Sequence, residues 1–205
     1  MISKPFLWVA FGLAAAGCAT MPSDAERQAQ AAAMLKASFK ENGQAKLDRL
    51  DQDETQRACS ALAGKPPSKE LAETLEKANL ATIQWPADGK LVGDWKNGER
   101  IAQEGRGKQF TDDPAGPVGG NCYACHQISK QEISYGTIGP SLQQFGKLRG
   151  YNDEIRKYAY GKIYNAEAYS ACSNMPRFGH MKVLSEAQIK DLVALLMDPE
   201  SPVNK

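Results

Sequence analysis

Histidine is nearly absent from this chain: only His126 and His180 occur in 205 residues, beside five cysteines. That scarcity limits metal chemistry. A structural zinc site needs four nitrogen or sulfur donors at matching spacing, and once Cys122, Cys125 and His126 are taken, only Cys59, Cys172 and His180 remain beyond the leader and Cys18. An excess of one charge is also missing, with 25 basic and 24 acidic residues interspersed along the sequence for a net charge of +1. A nucleic-acid-binding surface needs concentrated basic charge, so that class is set aside. No internal repeat occurs, and no βαβ pattern surrounds the Cys-x-x-Cys pair, which argues against a thioredoxin-like redox motif.

What is present begins with an export leader. Lys4 is followed by the apolar run Pro5 to Ala16 and then small residues, too short a run to span a membrane. Leu13-Ala-Ala-Ala-Gly-Cys18 is close to a lipobox, with Ala15 where leucine is commonest, and Cys18 is the expected lipidated first residue after removal of residues 1–17. The alternative is ordinary cleavage after Ala16 or Ala19. Either route takes the chain out of the cytoplasm to the periplasm, with a lipid anchor where Cys18 is modified.

Residues 18–97 read as a helical extension and linker. The stretch from Asp24 to about Leu50 is rich in Ala, Gln and Glu, good helix formers, with only a thin apolar stripe through Met34, Leu35, Phe39, Leu47 and Leu50. "ETQRACSALAG" is a second helix, stopped by Gly64 and the Pro66-Pro67 pair, and Lys69 to Ala78 is a third. "TIQWPADGKLVGDW" reads as loop or short strand. Residues 98–205 read as a small all-α domain. "GERIAQEG" is a short helix, and Asn152 caps another whose first turn holds Asp153 and Glu154. Ser185 and Gln188 form a capping box for the last helix, which places Ile189, Leu192, Val193 and Leu196 on one face and ends at Asp198-Pro199.

The chemistry concentrates in "GNCYACHQI", where Cys122-x-x-Cys125-His126 has the attachment spacing of a c-type haem. Two thiols three apart can both reach the porphyrin vinyl groups from one helical turn, and the next residue, His126, reaches the iron. An electron-transfer haem fills its second axial position with Met or His. "SNMPRFGHM" offers Met175 first, His180 second and Met181 third. The remaining ring nitrogen of His126 needs an acceptor to fix the tautomer, and the carbonyl of Pro140 in "GTIGPSL" is the candidate. Ile138, Leu142, Phe145, Tyr158 and Phe178 would line the apolar pocket, or equally an ordinary core. Cys59 and Cys172 are left as a disulfide pair in an oxidising compartment. The competing possibility is that Cys172 ligates iron as a thiolate.

"GNCYACHQI", "GTIGPSL" and "MPRFGHMKVLSEAQIKDLVALLMDPESPVN" together resemble the SoxX cytochromes of the bacterial sulfur-oxidising system, from about Gly98 to Asn204. The resemblance implies a class I cytochrome c-like all-α fold carrying one covalent haem c on Cys122 and Cys125, with His126 and Met175 as axial ligands. It also implies a SoxA-type haem protein as stable partner, in a complex that acts as L-cysteine S-thiosulfotransferase. That complex joins thiosulfate oxidatively to a cysteine of the SoxY–SoxZ carrier, and a small cytochrome c takes the electrons. The bond-forming site is expected on the SoxA partner, leaving this chain an electron-transfer subunit with no catalytic residue of its own. A freestanding electron carrier, or the haem subunit of another periplasmic dehydrogenase, is the alternative.

Overall fold

The structure, a computed structural model, describes residues 21–205, so Cys18 and the leader lie outside the described residues. The chain divides into two compact units, Met1–Phe39 and Lys40–Lys205. Helix α1 (Asp24–Ser38) is the described part of the first unit. Ser23 opens it with a reciprocal capping box to Glu26, and it buries none of its side chains. The helix expected to continue to about Leu50 stops at Ser38. Asn42 and Ala45 then pair across a tight turn at Gly43, whose φ is +54°, and only a 3-10 turn, Leu47–Leu50, follows.

The second unit is all-α, with no named strand among the described residues. Its helices are α2 (Glu54–Ala61), α3 (Lys69–Leu80), α4 (Trp95–Gln103), α5 (Phe145–Arg149), α6 (Asp153–Tyr164) and α7 (Glu186–Met197). No helix among the described residues is long and apolar enough to cross a membrane. Residues 40–97 belong to the same compact unit as residues 98–205. The loop-or-strand segment 82–94 is irregular backbone. Asp94 then caps α4 by accepting from the Lys96 N–H, so this helix starts three residues before Gly98.

The most extensive helix pairing is α4 against α7. It depends on Gly98, where a Cβ would lie 2.1 Å from the backbone oxygen of Asp191 and 3.0 Å from Cβ of Leu195. Only a hydrogen side chain lets the two backbones approach so closely. The Gly93 N–H also donates to the carbonyl of Lys190 at 2.9 Å, and the Asp94 N–H donates to Oδ1 of Asp191 at 2.7 Å.

Helix α7 is buried more completely than its one-face pattern implies. Ile189 and every residue from Leu192 to Met197 are buried, because α4, α5 and α6 all pack on it. Each such aliphatic side chain contributes about 1.5–3 kcal/mol on burial. The segment "DPESPVN" then folds back over the helix end. Ser201 Oγ donates to the carbonyl of Leu195 at 2.6 Å, and Asn204 Nδ2 donates to those of Leu196 and Asp198 at 3.1 and 2.8 Å. These side chains satisfy carbonyls that a helix C-terminus leaves without partners. Val203 O and Asn204 Oδ1 accept from the backbone of Gln144 and Lys147, which fastens α5 to the same end.

Candidate haem-attachment site

The site is built on the 3-10 turn Cys122–Ala124, which follows Asn121 in the left-handed region at φ 46°. The N–H groups of Cys125 and His126 both donate to the carbonyl of Cys122, at 3.1 and 2.9 Å, so one turn carries both cysteines and hands the chain to the histidine. Both thiols are free and half-buried. Burial pushes the Cys122 thiol up to about 12, so it is a neutral thiol rather than the depressed, reactive thiolate of a redox pair.

Residues 136–142 run alongside this turn. Gly136, Gly139 and Leu142 donate their N–H groups to the carbonyls of Tyr123, Cys125 and Gln127, at 2.8, 2.8 and 2.7 Å. Those three bonds bring the Pro140 carbonyl within 2.7 Å of His126 Nδ1. A carbonyl only accepts, so Nδ1 carries the proton and Nε2 keeps its lone pair for a metal. Gly139 is pressed against the same imidazole.

Met175 and Cys122 are partly buried against one core cluster, together with Leu142 and Tyr158; Phe145 and Phe178 are buried within it. Ile138, in the segment alongside the attachment turn, is 77% exposed and so is no part of the ordinary core. Cys172 is joined to Cys59 by a disulfide of S–S 2.06 Å, which leaves no thiolate to bind iron. His180 Nδ1 lies 3.1 Å from Thr82 Oγ1, and Met181 is exposed. Among the described residues, no group of three or more His, Cys, Asp or Glu side chains is placed to hold a metal ion. Two open clefts of about 360 and 390 Å³ are lined by none of the assigned residues.

Sequence reasoning missed a polar network behind the Met175 segment. Asn165, fully buried, donates from Nδ2 to Asn79 Oδ1 and Thr82 Oγ1, both at 3.0 Å, and Asn79 Nδ2 donates to Thr55 Oγ1 at 2.9 Å. Arg177 is 6% exposed. One of its amino groups donates to Asp53 Oδ2 at 2.5 Å, and the other lies 3.5 Å from Glu167 Oε2. Burial raises the Glu167 carboxyl, and Arg177 only partly offsets that. Burial also works to raise Asp53, but the Gln56 N–H and Arg177 outweigh it and hold that carboxyl below its usual value. No local pattern in the sequence signals any of these partners.

Two thiols and a tautomer-fixed imidazole on one helical turn, with Cys122 packed against an apolar core, define a helical protein built to carry a covalently attached haem. A family model for cytochrome c matches residues 96–198. A protein of Aquifex aeolicus (strain VF5), described as an uncharacterized lipoprotein, is 40% identical over 156 residues, covering 75% of this chain and 73% of that protein. The chain belongs to the cytochrome c family, and membership implies a covalently bound haem c. The residues fit that group: two free thiols at the attachment spacing, an unengaged Nε2 on His126, and a glycine where the backbone meets the imidazole.

Proposed function

We propose that this chain is the electron-transfer subunit of a SoxAX-type L-cysteine S-thiosulfotransferase. In this reading Cys122 and Cys125 hold one haem c, with His126 and Met175 as the axial residues. The observation that carries the electron-transfer role is the His126–Pro140 bond, which presets one ligand nitrogen, while the disulfide to Cys59 removes Cys172 as a competing thiolate in the Met175 segment. When bound, the haem supplies one-electron chemistry between ferric and ferrous iron. Pro140 holds the proton on Nδ1 so that the ring keeps one orientation through both oxidation states. Phe145, Phe178 and Leu184 are buried in the apolar cluster against which Cys122 packs.

The assignment to sulfur oxidation is supported by the resemblance over residues 98–204. The reaction joins the outer sulfur of thiosulfate to a carrier cysteine. The thiol proton and two electrons leave, and the electrons pass through this chain one at a time to a small cytochrome c. No residue here is left to form that bond, since Cys59 and Cys172 are spent on each other and Cys122 and Cys125 are taken up in attachment. A periplasmic location with a lipid on Cys18 follows from the leader, and the lipoprotein description of the Aquifex relative supports it. Intact mass of membrane-extracted protein above that of polypeptide plus haem is the expected result.

The purified holoprotein mixed with thiosulfate should stay oxidised on the turnover timescale. Adding a SoxA-type partner and the SoxY–SoxZ carrier should reduce it, with thiosulfate attached to the carrier cysteine. Reduction without the partner overturns the relay reading, and absence of any such partner in native co-purification favours the freestanding carrier. A Cys122→Ala/Cys125→Ala chain should retain no haem under denaturing conditions.

A further inference from the structure

Helix α2 grips the Met175 segment from both sides. Cys59 is disulfide-bonded to Cys172, three residues before Met175, and Asp53, the N-cap of α2, is paired with Arg177, two residues after it. Helix α3 adds a third hold, since the Ala171 N–H donates to Glu76 Oε1 at 3.0 Å. The fastening continues inward: Arg177 also lies 3.5 Å from Oε2 of the buried Glu167, an oxygen with no hydrogen bond of its own. A guanidinium with planar, forked donors can serve two carboxylates on different elements at once; an ammonium cannot reproduce that geometry.

We propose that Arg177 is a positioning residue for Met175, and that α2, through Asp53 and Cys59, is the strap that keeps the thioether in place. The inference rests on Met175 being the axial residue. A neutral thioether is a weak donor, so its occupancy depends on how closely the backbone restricts it. An unfastened segment swings away and yields the position to a competing ligand, in proportion to the population of the open state. The two holds flank Met175, leaving only the stretch 173–176 between them, and within it the Met175 N–H is itself bonded to Ser173 Oγ at 3.2 Å. Residues 51–80 are therefore part of the electron-transfer unit, because they restrict the distal ligand rather than merely cover the domain.

The test is imidazole titration of the oxidised holoprotein, followed by the weak far-red absorption of sulfur on ferric haem. Arg177→Gln and, separately, Asp53→Asn should let imidazole displace that band at about tenfold lower concentration, the effect expected when a charge-assisted hydrogen bond is removed. Arg177→Lys should restore part of the resistance. Ile189→Val, a core change in α7 away from the strap, supplies the control for a general loss of stability. Imidazole affinities of both strap variants no higher than that of Ile189→Val overturn the strap while leaving Met175 as the ligand. A wild-type protein without the far-red band, or one whose band survives Met175→Ala, overturns the ligand reading and the strap together.

Discussion

Gly139 stands so close to His126 that a Cβ on it would lie 2.2 Å from Cε1 and 2.5 Å from Nδ1 of the imidazole. The contact and the Pro140 hydrogen bond are one device: the backbone can offer its carbonyl to Nδ1 only because nothing projects from the preceding residue. Gly139→Ala must push the ring or the 136–142 segment aside. The expected result is a loss of about 1–3 kcal/mol in denaturant unfolding, the usual range for overpacking, with a shifted reduction potential from the weakened Nδ1 bond.

The Cys59–Cys172 bridge spans a sequence separation of 113 residues. A loop that long restricts the unfolded chain strongly, and the chain-entropy model gives about 4–5 kcal/mol. Replacing both cysteines with serine should lower the unfolding free energy by up to that amount. Peptide mass mapping without reductant should find this bridge in the native protein, and alkylation before reduction should label neither cysteine.

Asn165 is the hub of the buried polar network, and its side chain also caps the next 3-10 turn by accepting from the Glu167 N–H at 3.2 Å. Asn165→Ala strands Asn79 Oδ1 away from water. Removing one partner of a buried set costs more than the bond itself, so a loss of about 2–4 kcal/mol is expected in equilibrium unfolding.

His180 supplies a pH dependence. Burial, with Arg177 adding, lowers its imidazole below the usual 6.5. A group depressed on folding favours the neutral ring in the native state. Its contribution is complete above the unfolded value and is lost as pH falls through the folded one. Thermal melts of the holoprotein should therefore lose stability as pH drops below about 6.5. His180→Gln should flatten the profile in that window and leave melts above pH 7 little changed. Asp53 acts at more acid pH, where its depressed carboxyl protonates and the Arg177 pair is released.

The parts that were legible in the sequence are those whose physics is local. The capping box at Ser185, the Asn152 cap and the stop at Asp198-Pro199 depend on residues three or four apart, and the helices form where those signals lie. The break after Ser38 was not anticipated, because good helix formers on both sides masked the Asn42-Gly43 turn. Apolar character alone left Ile138 open between a pocket and an ordinary core, and its 77% exposure rules out only the core.

By itself the sequence determined the all-α class and the chemistry of the attachment turn. Cys122, Cys125 and His126 lie within five residues, so one turn of backbone is enough to bring them together. The Cys59–Cys172 pair already tied the extension to the loop before Met175, and only the tertiary structure decided that Asp53 and Glu76 fasten the same segment. Asp53 and Arg177 meet across 124 residues, and Asn79 and Asn165 across 86. Such pairs carry no periodicity and no local spacing, because their partners are chosen by how α2 and α3 pack in the folded unit, not by how the chain runs.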